Sequence, residues 1–121
     1  PNMVISGKEC TKQAGVKEVA EATVRTLMRT VPASVPGIAF LSGGQSAEEA
    51  TEHLNAMNEM GEHPWNLTFS YGRALQQPAL HTWSGSKDKY EDAQSKLTKR
   101  SKLNGAASSG KYDKQMEKEA A

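Results

Sequence analysis

The stretch GIAFLSGGQSAEE, residues Gly37 to Glu49, decides the fold class. Gly37-Ile38-Ala39-Phe40-Leu41 is a short apolar run, bounded in front by Pro36 and behind by Ser42-Gly43-Gly44, which reads as a strand buried on both faces. Ser46-Ala47-Glu48-Glu49 then opens a helix. The Ser46 hydroxyl can accept from the Glu49 N–H while the Glu49 carboxylate reaches back, forming a capping box. Ala50, His53, Leu54 and Met57 continue one face of that helix. A strand that ends in glycines and passes straight into a helix is the repeating element of α/β folds.

The same grammar recurs on both sides. Downstream, Gly61 to Pro64 form a turn and Trp65-Asn66-Leu67-Thr68-Phe69 alternates as a strand, stopping again at a glycine in Ser70-Tyr71-Gly72-Arg73. Ala74 to Trp83 reads as a short helix interrupted near Pro78, and Asp88 to Leu103 as a longer one with Tyr90, Ala93, Leu97 and Arg100 at helical spacing. Upstream, residues 1 to 5 read as the tail of a strand and Ser6 to Gly15 as a loop. Val16, Val19, Ala20, Thr23, Val24, Leu27 and Met28 then mark an amphipathic helix that ends before Pro32. Beyond Asn104-Gly105 the composition predicts a loose tail, so residues 1–105 form one structured unit and 106–121 a flexible end.

This order suits successive βα units and a parallel sheet, yet two strands and a stub neither close a barrel nor make a full open sheet. Composition agrees with that shortage. Only 36% of the 121 residues are apolar and 6% aromatic, which leaves a thin core. The chain opens on Pro1-Asn2-Met3-Val4, as though cut from a longer protein that carries the missing strands.

Fifteen Lys and Arg against fourteen Asp and Glu give a net charge of +1, so no global field draws in nucleic acid or an anionic membrane. The single Cys10 has no partner for an internal disulfide, and no stretch has the make-up of a signal peptide or membrane span. The expected compartment is the reducing cytoplasm. His53, His63 and His81 lack the spacing of a metal set and read as surface histidines, while Met28, Met57 and Met60 read as helix packing.

In parallel α/β arrangements, sites form where the loops leave the C-terminal ends of the strands. Two such ends here carry comparable equipment: Ser42, Gly43 and Gly44 after the first strand, and Ser70, Gly72 and Arg73 after the second. Each offers a hydroxyl, unobstructed backbone N–H groups and a helix N-terminus, and Arg73 adds a guanidinium able to grip an oxyanion with two hydrogen bonds. Singly, a Gly-Gly pair is a tight turn and an arginine a surface cation. Repetition at neighbouring strand ends points to a phosphate. Neither loop is a nucleotide P-loop, a dinucleotide fingerprint or a serine-hydrolase elbow, because the orders GxxxxGK[ST], GxGxxG and GxSxG are all absent.

Pro1-Asn2-Met3-Val4, the run Val31 to Gln45 containing FLSGGQ, the segment Leu54-Asn55-Ala56-Met57-Asn58 and WNLTFSYGRAL from Trp65 to Leu75 together resemble the C-terminal third of class I fructose-1,6-bisphosphate aldolases. The resemblance runs from Pro1 to about Tyr112. It implies an α/β fold that is the last part of a (β/α)8 TIM barrel, from the end of strand six through strand eight. It also implies that Ser42, Gly43, Gly44, Ser70, Gly72 and Arg73 bind the phosphate on the dihydroxyacetone-phosphate side of fructose 1,6-bisphosphate. The implied reaction is reversible cleavage to dihydroxyacetone phosphate and glyceraldehyde 3-phosphate through a lysine Schiff base, with no metal or other cofactor. In the family that lysine immediately precedes Pro-Asn-Met-Val, so its place is one residue before Pro1, and no catalytic residue falls in this sequence. The chain by itself is expected to be inactive, its partners being the sugar and triose phosphates, the rest of the barrel and further copies in a homotetramer. The rival is a non-catalytic phospho-ligand or scaffolding module derived from an aldolase.

Overall fold

A computed structural model of the chain describes residues 1–119. Its elements in order are helix α1 (Val16–Thr30), strand β1 (Gly37–Phe40), helix α2 (Ala47–Glu59), strand β2 (Asn66–Phe69), helix α3 (Arg73–Trp83) and helix α4 (Tyr90–Ala107). Short 3-10 turns lie at Lys87–Lys89 and Lys114–Glu117. The two strands pair in parallel, Gly37 with Asn66 through Phe40 with Phe69, as the βα grammar predicts. Helix α2 is the central support, packing on α1, α3, α4 and β2.

The core lies between this sheet and the helices. Phe40, Leu54 and Met57 are fully enclosed, Ile38 and Leu67 join them from the strands, and Trp65, just before β2, donates its Nε1 proton to the Pro32 carbonyl at 3.0 Å. The opposite face of β1 is open. Gly37, Ala39 and Leu41 are exposed, so the strand expected to be buried on both faces is covered on one. Alternation explains the outcome, since side chains two apart share a face and the buried core lies on the face bearing Ile38 and Phe40.

Residues 1 to 5 do not form a strand among the described residues. One backbone bond remains, from Leu41 N–H to the Pro1 carbonyl at 3.0 Å, while the Val4 N–H turns to Thr23 Oγ1 at 2.9 Å. Helix α1 begins and ends where periodicity and Pro32 predict. Helix α2 carries both halves of its capping box, Glu49 N–H to Ser46 Oγ at 3.1 Å and Ser46 N–H to Glu49 Oε2 at 2.9 Å.

Pro78 does not interrupt α3, which runs unbroken to Trp83. The ring removes one backbone bond, to the Ala74 carbonyl, and the extensive packing of α3 on α4 outweighs that loss. Of the three methionines read as packing, only Met57 is buried; Met28 and Met60 are exposed.

The C-terminal segment differs most from expectation. Helix α4 passes through Asn104 and Gly105 to Ala107, because Asn104 is wholly buried against Thr51 Oγ1 instead of capping the helix. The turn after α4 is closed by Gly110, whose φ of 64° allows Lys111 N–H to reach the Ala106 carbonyl at 2.9 Å and Gly110 N–H the Ala107 carbonyl at 3.1 Å. The segment after Gly110 docks on α2 and α4. Tyr112 is buried with its N–H on Asn55 Oδ1 at 2.9 Å, and the Arg100 guanidinium holds both Glu117 oxygens at 2.7–2.8 Å. Lys114 pairs with Glu52 at 2.8 Å. Polar residues that read as a loose tail in composition are therefore a packed segment, tied by specific hydrogen bonds; the last two residues lie outside the described range.

Candidate anion-binding site

Parallel register brings the two glycine loops together. Phe40 pairs with Phe69 and the Ser70 N–H donates to the Phe40 carbonyl at 2.8 Å, so residues 41–44 and 70–73 leave the sheet side by side at its C-terminal end. Ser42, Gly43, Gly44, Ser70, Gly72 and Arg73 thus share one edge of the molecule. Among the described residues, the hydroxyls of Ser42 and Ser70 and the guanidinium of Arg73 make no hydrogen bond to protein. Ser42 is buried in its loop, whereas Ser70, Gly72 and Arg73 are exposed.

The first loop needs its glycines for two different reasons. Gly43 has φ 55° and Gly44 φ 82°, values that side chains with a Cβ adopt only under strain. A Cβ on Gly43 would also stand 2.1 Å from Asn2 Oδ1, so the N-terminal segment packs where only glycine leaves room. That Asn2 oxygen already accepts the Met3 N–H at 2.9 Å. Asn2 belongs to the loop's wall, a role that its place in the Pro1-Asn2-Met3-Val4 motif does not reveal.

The two helix N-termini are not equivalent. Helix α2 caps itself with Ser46 and Glu49 and carries two glutamates in its first turn, so its dipole already faces carboxylate charge. Helix α3 has no side-chain cap at Gly72 and no acidic residue in its first turn, while Arg73 stands at its first position. The α3 end is thus where unpaired N–H groups, the positive end of the dipole and a guanidinium coincide, the set of donors an anion site requires. The Gly43-Gly44 loop contributes backbone donors from the side.

Two residues support the first loop from within. Gln45 is buried and gives Ser42 both its backbone N–H at 3.0 Å and its Nε2 at 2.9 Å, and its Oε1 lies 2.5 Å from His53 Nδ1. His53, read as a surface residue with His63 and His81, is 6% exposed. Only His81 of the three is fully on the surface; His63 is half-buried with Nε2 on the Met57 carbonyl at 2.7 Å. Burial pushes the His53 pKa below its ordinary value, and the charges of Glu49 and Glu52 oppose that shift without reversing it. The signal was available, since His53 shares the helical face of Ala50, Leu54 and Met57.

A cleft of about 820 Å³ lies behind this loop, between the Ile5–Val16 segment and the start of α2. Its wall mixes Lys8 and Lys114 with Glu48, Glu49 and Glu52 and takes in Gly43 and Gly44, while Ser70 and Arg73 lie outside it. Among the described residues no group of three or more His, Cys, Asp or Glu could hold a metal ion, and no helix is long and apolar enough to cross a membrane.

Comparison with known proteins identifies the family. A sequence model described as fructose-bisphosphate aldolase class-I matches residues 1–121. Fructose-bisphosphate aldolase B of Sparus aurata is 58% identical over 113 residues, covering 93% of this chain and 31% of that protein. A probable fructose-bisphosphate aldolase class 1 of Xanthomonas campestris is 55% identical over 112 residues, covering 92% and 34% respectively. Among solved structures, the fructose-bisphosphate aldolase of Plasmodium falciparum, in a ternary crystal with TRAP and a small-molecule inhibitor, superposes with a TM-score of 0.89 at 53% identity, over 93% of this chain and 33% of that one. The chain spans about a third of the length of the relatives it matches. With a whole-length family match and more than half its residues identical to several aldolases, the chain belongs to the class I fructose-bisphosphate aldolase family.

Proposed function

We propose that this chain supplies the phosphate-binding wall of a class I aldolase that reversibly cleaves fructose 1,6-bisphosphate to dihydroxyacetone phosphate and glyceraldehyde 3-phosphate. In this reading β1 and β2 are the seventh and eighth strands of a (β/α)8 barrel whose other strands lie on residues outside this sequence. The exposed face of β1, the unpaired sheet edges and the apolar surface at Leu80, Trp83 and Tyr90 are the areas that such a remainder would cover. By family resemblance the assembled enzyme is a cytoplasmic homo-oligomer.

One observation carries the reading: two adjacent strand ends offer open backbone donors, two free hydroxyls and Arg73 at an uncapped helix N-terminus. That set matches a dianionic phosphate monoester, which needs several charge-assisted donors converging from fixed positions. Chemistry at the ketone falls to the residue preceding Pro1, a lysine in the family. The Pro1 carbonyl is bound to the Leu41 N–H, so a residue joined to Pro1 stands beside the end of β1. Its amine would add to C2 of the ketose and expel water, giving an iminium. Removal of the C4 hydroxyl proton then breaks the C3–C4 bond, the electron pair moves into the iminium as an enamine, and the aldehyde leaves.

The test uses the intact enzyme that carries this segment. Borohydride in the presence of fructose 1,6-bisphosphate traps a covalent adduct on the lysine before Pro1, and activity survives EDTA. Arg73→Ala raises the KM about five- to tenfold, the loss of one charge-assisted contact at an exposed position. A non-lysine residue before Pro1, or EDTA-sensitive activity without trapping, overturns the catalytic reading and favours a binding module. Unchanged KM and kcat in Arg73→Ala refute the phosphate assignment.

A further inference from the structure

Behind the Ser42-Gly43-Gly44 loop runs a buried polar chain that the phosphate clamp does not contain. The Ser42 carbonyl takes two hydrogen bonds from Gln45, at 3.0 Å from the backbone and 2.9 Å from Nε2. A carbonyl only accepts, so the amide turns its nitrogen to Ser42 and its Oε1 to His53 Nδ1, 2.5 Å away. That oxygen also only accepts, hence Nδ1 carries the proton. The backbone carbonyl orients Gln45, and Gln45 selects the His53 tautomer. Both side chains are buried, on the inner wall of the cleft behind the loop, so losing either partner leaves a polar group poorly paired.

We propose that His53, acting through Gln45, is a positioning residue for the Ser42-Gly43-Gly44 phosphate loop. The proposal rests on the reading of that loop as phosphate-binding. Its geometry follows from peptide planarity: the Ser42 carbonyl and the Gly43 N–H belong to one trans peptide and point in opposite directions. Two hydrogen bonds that draw the carbonyl towards α2 therefore aim the Gly43 N–H away from α2, where it meets no acceptor among the described residues. A Gly-Gly pair has the widest choice of backbone conformations of any dipeptide, so without this anchor the donor would lose its fixed direction. His53 holds the anchor's outer end.

The experiment separates a donor from a space-filler. In the intact enzyme carrying this segment, His53→Leu fills the site without a donor, whereas His53→Asn keeps a nitrogen one bond beyond Cγ, where the imidazole has Nδ1. His53→Leu is expected to raise the KM for fructose 1,6-bisphosphate about fivefold with kcat within about twofold, and His53→Asn to restore the parent KM. Nitrogen-15 NMR of the parent protein at neutral pH is expected to find Nδ1 protonated and Nε2 bare. An Nε2-protonated ring, or His53→Asn as impaired as His53→Leu, overturns the proposal; so does a fall in kcat with KM unchanged, the mark of packing alone. If His53→Leu does not fold, the tautomer and the Asn variant decide. An unchanged KM in His53→Leu beside a raised one in Arg73→Ala removes the positioning role only. Unchanged values in both Arg73→Ala and Ser42→Ala remove the phosphate site, and this role with it.

Discussion

Two glycines five residues apart are expected to respond to alanine with opposite signs. Gly110 closes the turn after α4 with φ 64°, and a Cβ there would lie 3.2 Å from the backbone carbon and oxygen of Asn58. Asn58 cannot easily yield, because its Nδ2 bridges the carbonyls of Leu54, Leu67 and Ala107 at 3.0–3.2 Å and so joins α2, β2 and α4. The left-handed conformation costs alanine about 1–2 kcal/mol and the contact with fixed backbone about 1 more. The stiffer unfolded chain offsets roughly 0.5–1 kcal/mol, leaving Gly110→Ala about 1–2.5 kcal/mol less stable. Gly105 is exposed within α4 and a Cβ there meets nothing within 4 Å. Gly105→Ala should therefore stabilise by about 0.5–1 kcal/mol, the helical preference of alanine over glycine. Urea unfolding of the chain, followed through the buried indole of Trp65, measures both. A Gly110→Ala variant as stable as the parent would refute the assignment of Gly110 as the helix terminator that turns residues 111–117 onto α2.

Glu117→Ala leaves the buried Arg100 guanidinium without its carboxylate and should cost about 3–5 kcal/mol, with faster amide exchange across residues 111–117; unaltered exchange there would contradict the docking of this segment. Stability should fall as pH drops through about 6.5, because the unfolded chain takes up a proton that folded His53 resists; the slope is at most about 1.4 kcal/mol per pH unit, and His53→Asn should flatten it in parallel melts. Ser46→Ala removes the N-cap hydroxyl of α2 and should cost about 1 kcal/mol by the same urea assay, with no loss signifying that the capping box is idle.

Much of the fold was legible because its signals are local. Val16 to Thr30 repeats its apolar residues at helical spacing, Ser46 and Glu49 stand at the separation a capping box demands, and glycines follow both strands. The candidate clamp was legible for the same reason, since hydroxyl, glycine and arginine recur at equivalent points after β1 and β2. Their unequal weight was not. Only the folded chain shows α2 capped by its own carboxylate while α3 is left open beside Arg73.

Residues whose roles depend on distant partners escaped. Asn104-Gly105 is a common helix stop, yet Thr51, more than fifty positions earlier, buries Asn104 and carries α4 onward. Polar composition described residues 106–117 as a loose tail, whereas Arg100, Asn55 and Glu52 each hold one point of it. Asn2 reaches Gly43 only because the N-terminal segment meets the end of β1. Periodicity, capping and turn chemistry act within a few residues, so the sequence by itself determined the helices, the parallel strands, the paired glycine loops and, through long shared motifs, the family. Burial of a polar group is decided by whichever partners the fold brings within 3 Å. That is why the tertiary structure alone decided which face of β1 is covered, which histidine is enclosed, which helix end is left without a side-chain cap, and where residues 111–117 dock.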